Sequence, residues 1–215
     1  MLVACWAVKG GVGTTVVSVA AALGAADVAR PTLLVDLAGD VPACLGIAEP
    51  QGPGVAEWLA AGTAPPDALA RLEVSVAAGL SVLHRGAGPL DARRASVLLQ
   101  VLASSGRPIV VDAGRIDDAP VARRFAAEAD RSLLVTRACV LALRRAAVAP
   151  VRPSGVVLVR EPGRALSVRD VEATVGAPVV ADVAVDPAMA RAVDAGLALT
   201  RLPRQLSLAL GAVAA

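Results

Sequence analysis

Seven consecutive residues, Lys9-Gly10-Gly11-Val12-Gly13-Thr14-Thr15, bring together a cation, three glycines and two hydroxyls. Glycines enter left-handed backbone conformations at little cost, so such a run folds tightly with its N–H groups turned to one side. A helix starting directly behind the turn adds its own free N–H groups and the positive end of its dipole. The chemistry this arrangement supports is the binding of an anion, phosphate above all. Two carboxylates, Asp36 and Asp112, each close an apolar run, Thr32-Leu-Leu-Val-Asp36 and Pro108-Ile-Val-Val-Asp112. Lys9 is the only lysine in the chain, every other cation being arginine.

Positioning these groups requires strands and helices in alternation. Val3 to Val8 reads as a buried strand leading into the glycine turn, and Thr14 to Ala29 as the helix behind it, ended by Arg30-Pro31. Thr32–Asp36, Leu80–His84 and Pro108–Asp112 read as further strands, their continuous apolar character marking parallel strands covered on both faces. Short helical pieces are expected at Val55–Ala61 and Pro66–Leu72, and a long helix at Leu90–Ser104, where Val97, Leu98, Val101 and Leu102 fall three and four apart. The second half alternates again: strand Ser132–Thr136, helix Cys139–Ala147, strand Gly155–Arg160, helix Ser167–Val175, strand Pro178–Asp182, helix Pro187–Ala195. This pattern predicts an α/β fold, a mainly parallel central sheet with helices on both faces and ligands at the carboxyl ends of the strands. With 215 residues and no internal repeat or linker, residues 1–215 are expected to form a single domain.

Composition narrows the classes. Hydrophobic residues reach 56%, yet no stretch has the roughly 18 uninterrupted apolar residues of a membrane span; Val16 to Ala26, ended by Asp27, reads as a buried helix. With no signal-peptide architecture at the N-terminus, the expected compartment is the cytoplasm. Cys5, Cys44 and Cys139 are odd in number and unrelated in spacing, and the sole histidine is His84, which argues against a zinc site or a disulfide framework. His84 reads as a strand-end residue. Trp58 reads as a half-buried helix anchor, with a partner-facing aromatic as the second reading. The pairs Arg93-Arg94, Arg123-Arg124 and Arg144-Arg145 read as solvated helix faces, with a non-specific DNA surface as the alternative.

The usual phosphate loop, G-x-x-x-x-G-K-[ST], carries its lysine after the last glycine. Here the lysine stands in front, and in this the chain resembles the ParA/MinD superfamily of dimerising ATPases, with their deviant loop K-G-G-x-G-K-[ST]. Lys9, Gly10, Gly11, Gly13 and Thr15 match, and Thr14 stands where the family has its second lysine. The resemblance implies ATP and Mg²⁺ as cofactors, bound by Gly10, Gly11, Val12, Gly13, Thr14 and Thr15. It implies that Thr15, Asp36 and Asp112 serve the metal, the last as a Walker B aspartate. It further implies a homodimer in which Lys9 crosses to the partner's nucleotide. Where the family places a water-facing aspartate this chain has Ala38; Asp40, two residues on, is either its substitute or a cap for Val41–Leu45. Arg160 and Ala184 occupy the positions of an asparagine and a proline that frame the adenine in the family.

These matches and departures together imply a positioning protein that binds ATP, dimerises and hydrolyses weakly or not at all. In carrying an irregular phosphate loop the chain resembles the atypical TadZ/CpaE-like proteins of pilus assembly and the septum-site group. One alternative is a working ATPase for DNA or plasmid partitioning, with Lys9 and Asp40 as its catalytic pair. Another is a metabolic enzyme on the same fold, and an iron–sulfur reductase relative ranks below both. Arg201 and Arg204 precede the apolar run Leu206 to Ala214, and this tail reads as a closing core helix in preference to a membrane anchor.

Overall fold

A computed structural model describes residues 1–214, so the expected domain boundary at Ala215 lies outside the described residues. The chain starts with strand β1 (Leu2–Ala7), whose six residues are all buried. The glycine turn follows, then helix α1 (Thr14–Ala25), strand β2 (Thr32–Asp36) and short helices α2 (Val41–Leu45) and α3 (Val55–Ala60). Strands β3 (Val74–Ala77) and β4 (Leu80–Leu83) form a hairpin, ahead of helix α4 (Ala95–Ala103), strand β5 (Ile109–Arg115) and helix α5 (Pro120–Glu128). Strand β6 (Arg131–Thr136), helix α6 (Val140–Ala147), strand β7 (Gly155–Arg160), helix α7 (Val168–Val175) and strand β8 (Val179–Ala184) complete the sheet. Helices α8 (Pro187–Asp194), α9 (Ala198–Arg201) and α10 (Arg204–Ala214) end the described chain.

The eight strands lie in the order β3-β4-β2-β5-β1-β6-β7-β8, parallel throughout except for β3, which pairs antiparallel with β4 at the edge. Alternation along β1 divides the core. Leu2, Ala4 and Trp6 point into one layer with Trp58 and Leu59 of α3, Leu98 of α4 and Phe125 of α5. Val3, Cys5 and Ala7 point into the other, with Val17 and Ala20 of α1, Val41 and Leu45 of α2 and Leu210 of α10. Two-sided cover explains why the strands read as unbroken apolar runs. The sheet expected from the sequence, parallel and covered by helices on both faces, is therefore the one observed.

Helix α10 lies across α1 at a crossing of two glycines. A Cβ on Gly24 would stand 1.7 Å from the Ser207 carbonyl oxygen, and one on Gly211 would stand 2.4 Å from the Gly24 carbonyl carbon. Only hydrogen atoms fit there, so the two backbones touch and bury Leu210 and Val213 against the core. The tail is a core-closing helix, as its sequence suggested. Among the described residues no helix is long and apolar enough to cross a membrane.

Several boundaries differ from expectation. Helix α1 stops at Ala25, not Ala29, because Ala26 turns to an extended conformation and the Thr32 hydroxyl donates to the Ala25 carbonyl at 2.9 Å. The piece at Pro66–Leu72 forms two 3-10 turns, Pro66–Ala68 and Ala70–Leu72. The helix expected from Leu90 begins at Ala95, after a 3-10 turn over Ala92–Arg94 that Asp91 caps by accepting from the Arg93 amide. Trp58 is fully buried, with the Arg94 guanidinium 4.2 Å from its ring centre.

Candidate functional site

The glycine turn sits at the carboxyl end of β1, in the middle of the sheet, and feeds directly into α1. Gly11 has φ +72 and Gly13 φ +97, both in the left-handed region that an L side chain resists. A Cβ placed on Gly10, Gly11 or Gly13 meets nothing within 4 Å, so the turn faces open space. Gly13 precedes α1 with no side-chain cap, and the first N–H groups of the helix remain available to a ligand.

That space is a cleft of about 680 Å³. Lys9, Gly10, Gly11, Gly13, Thr14 and Thr15 line one side of it, and Ala38, Asp40 and Arg85 line another. Lys9 is half-buried, its Nζ 3.4 Å from the Gly10 carbonyl oxygen. Asp40 sits at the N-cap position of α2, yet its carboxylate makes no capping bond and lines the cleft. Ala38 also lines it and packs close to Gly114 at the end of β5, where an added Cβ would come within 2.9 Å of the Ala38 Cβ.

Asp36 ends β2 and is the register partner of Asp112, both with no exposed surface; Asp112 lies inside β5, which runs three residues past the expected end at Asp112 to Arg115. The Asp36 carboxylate accepts three backbone N–H bonds: Ala38 at 3.0 Å and Gly39 at 2.6 Å on Oδ1, and Val41 at 3.2 Å on Oδ2. It braces the loop from Ala38 to Val41. Burial pushes its carboxyl above the usual range, and these amides oppose that shift. Asp112 has fewer partners. Its Oδ1 accepts from the Gly114 amide at 3.2 Å, Oδ2 has no hydrogen-bond partner, and the nearby Thr15 hydroxyl with that amide opposes the upward shift of its carboxyl. Burial first, then the nearby Asp36 charge, push the Asp112 carboxyl up to about 7.

A buried carboxylate oxygen without a donor is costly, and a cation would satisfy it. The residues present fit Mg²⁺ in the way that ion is commonly held, through one carboxylate, a hydroxyl and the oxygens of a bound phosphate. Thr15 and Asp112 supply the protein part. Among the described residues no group of three His, Cys, Asp or Glu side chains is placed to hold a metal ion. The donor set would therefore be completed by the phosphate that the glycine turn suits.

Arg160 and Ala184 lie apart from this cleft, as register partners near the ends of β7 and β8. Arg160 is exposed and ion-pairs with Asp182 at 3.0 Å. Their neighbours Val159, Val183 and Val185 border a separate apolar pocket of about 210 Å³, which Val12 and Gly13 close from the loop side. Arg137 at the end of β6 also borders it, with a buried Nε that has no partner, while its Nη1 pairs with Glu161. Neither Arg137 nor Arg85 stood out in the sequence. Each follows a strand as an isolated cation, and only the order of the strands brings it to a pocket.

The arginine pairs are largely taken up locally. Arg94 donates to the Trp58 and Ala64 carbonyls, Arg93 pairs with Asp91, Arg123 donates to Ile116 and Asp117 carbonyls, and Arg124 pairs with Glu128.

No family model matches the chain, and no curated protein matches it. Solved structures do. The MinD cell division protein of Aquifex aeolicus superposes with a TM-score of 0.78 at 18% identity, over 99% of this chain and 95% of that one. The septum site-determining protein MinD of Pyrococcus horikoshii OT3, in complex with Mg-ADP, gives 0.77 at 19% identity, over 98% and 95%. A ParA family ATPase from Chlorobium tepidum TLS gives 0.73 at 17% identity, over 99% and 98%. At these identities the likeness speaks for the fold and spans nearly the whole of each chain. The chain has the fold of the MinD and ParA-family ATPases.

Proposed function

We propose that this chain is a ParA/MinD-like positioning protein that binds Mg-ATP at the glycine turn, dimerises in doing so and hydrolyses weakly or not at all. The observation that carries the reading is the unpartnered Asp112 Oδ2, buried beside the Thr15 hydroxyl and beneath an uncapped helix start. The glycine turn and the first N–H groups of α1 would hold the phosphates, and Thr15 with Asp112 would hold Mg²⁺. When bound, that ion neutralises phosphate charge. Asp36 acts one step back, fixing the loop that carries Ala38 and Asp40 through its three amide bonds. The apolar pocket beside Val12 and Gly13, with the free Nε of Arg137, suits the base.

Two features favour weak turnover. Thr14 supplies a hydroxyl where a lysine would supply charge, which removes electrostatic stabilisation of the transferring phosphoryl group. Ala38 offers no carboxylate to orient an attacking water. A protein of this kind would act through the dimer and a recruiting partner, in the spatial organisation of pilus assembly, septum or chromosome. Lys9, at the cleft rim, is the residue that would reach a partner's nucleotide.

A second reading, a working ATPase for DNA partitioning, draws on Asp40, whose carboxylate makes no cap and faces the cleft. Steady-state ATP turnover with and without DNA separates the two. The first reading expects slow turnover indifferent to DNA. Turnover that rises with DNA and is lost in Asp40→Asn would replace it with the second.

A further inference from the structure

The cleft that would take the phosphates lacks the cation its glycine turn would normally carry, and another residue is placed to supply it. Three cations line the cleft, Lys9, Arg85 and Arg115, together with Asp40 and Asp118. Lys9 Nζ rests 3.4 Å from the Gly10 carbonyl, and Arg115 is engaged by Asp117 at 3.3 Å. Lys9 is the residue that would cross to a partner's nucleotide. Arg85, like Lys9, has no carboxylate partner among the described residues; its Nη1 donates to the Gly88 carbonyl at 3.2 Å and the Gly86 carbonyl at 3.5 Å. Those two bonds hold one edge of the guanidinium and leave its other N–H donors uncommitted.

The arrangement extends to the loop that Asp36 braces. Gly39 in that loop has φ +101, and a Cβ there would stand 3.3 Å from Arg85 Cδ. A side chain at position 39 would crowd the arginine stem, so the glycine leaves the room in which Arg85 lies. The stem is thus positioned from one side by the Gly86–Gly88 turn and from the other by the loop after β2.

We infer that Arg85 supplies the positive charge toward the outer phosphates that Thr14 does not, and so makes this site selective for a nucleoside triphosphate over a diphosphate. The inference rests on the nucleotide reading above and names a residue and a preference which that reading does not require. A planar guanidinium with free donors is well matched to a terminal phosphoryl group, which offers several oxygens in one plane.

The test titrates Mg-ATPγS and Mg-ADP into the wild-type chain and into Arg85→Gln, Arg85→Lys and Arg85→Gln/Thr14→Lys, with thermal unfolding of each as a check on folding. Arg85→Gln should lose about 10- to 100-fold in ATPγS affinity while ADP affinity stays within about twofold, since only the triphosphate reaches the residue. Arg85→Lys should retain part of the preference, and Thr14→Lys should restore it in the Arg85→Gln background. Loss of both affinities alike would mean a loosened loop and overturn the inference, as would no loss at all. A wild-type chain that binds neither nucleotide would sink the nucleotide reading itself, and Arg85 with it.

Discussion

Asp36 at the end of β2 stands side by side with Asp112 inside β5, and the fold satisfies their carboxyls unequally. Three loop amides satisfy Asp36, whereas Asp112 keeps one buried oxygen without a partner. Burial raises both carboxyls; the loop amides oppose the shift at Asp36, and Asp112 is pushed up to about 7. A cation beside Thr15 would reverse that by favouring the ionised form.

This difference makes a pH prediction. The Asp112 carboxyl is raised from 3.8 to about 7, so the folded state holds a proton that the unfolded state has released. Its contribution is neutral below about pH 4, turns progressively destabilising as the pH rises toward 7, and is constant above. Asp112→Asn should match wild-type stability near pH 4 and exceed it by roughly 2–4 kcal/mol at pH 8 without metal. Chemical denaturation of both proteins across that range is the check, and parallel curves would refute the buried-acid assignment.

Mg²⁺ should act on the same pair. At pH 8 with ATP present, added Mg²⁺ should raise the melting temperature of the wild-type chain. Thr15→Ala should lose that Mg²⁺-dependent rise, because the hydroxyl beside Asp112 is gone. An undiminished rise in Thr15→Ala would place the ion elsewhere.

Thr14→Lys should tighten Mg-ATP binding by about tenfold or more, the worth of one hydrogen bond from a charged donor. Thr14 is at the start of α1 and lines the cleft, so the longer side chain has the cleft to enter. Unchanged affinity, measured by calorimetry, would show that charge at this position is not what the site lacks.

The crossing of α1 and α10 has its own test. Gly211→Ala places a Cβ 2.4 Å from the Gly24 carbonyl carbon, and backbone cannot swing aside as a side chain does. A loss of about 1–3 kcal/mol is expected from this overpacking. A neutral effect in urea denaturation would mean that α10 packs loosely.

Most of the sheet was legible because the signals were local. Runs such as Thr32–Asp36 and Gly155–Arg160 are apolar throughout, as strands covered on both faces must be, and both strands match their expected limits. Helix α5 passed unread although its signal was present: Pro120 at the first position, then Val121, Ala122, Phe125 and Ala126 on one face. Strand β3 is short and largely exposed at the edge, where alternation carries little information. Within the site, the loop and the two aspartates that follow apolar runs, Asp36 closing β2 and Asp112 inside β5, could be read as a motif. Arg85 could not, because what makes it notable is its contact across to Gly39, which belongs to the pairing of β4 with β2. The orphaned oxygen of Asp112 is likewise a property of packing.

The central claim, a Mg-ATP site coupled to dimerisation, is tested most directly by measuring ATP binding with and without Mg²⁺ and the oligomeric mass in the same samples. Mg²⁺-dependent binding that converts monomer to dimer is expected, with both effects lost in Asp112→Asn. A mass indifferent to nucleotide, or ATP binding that ignores Mg²⁺, would contradict it.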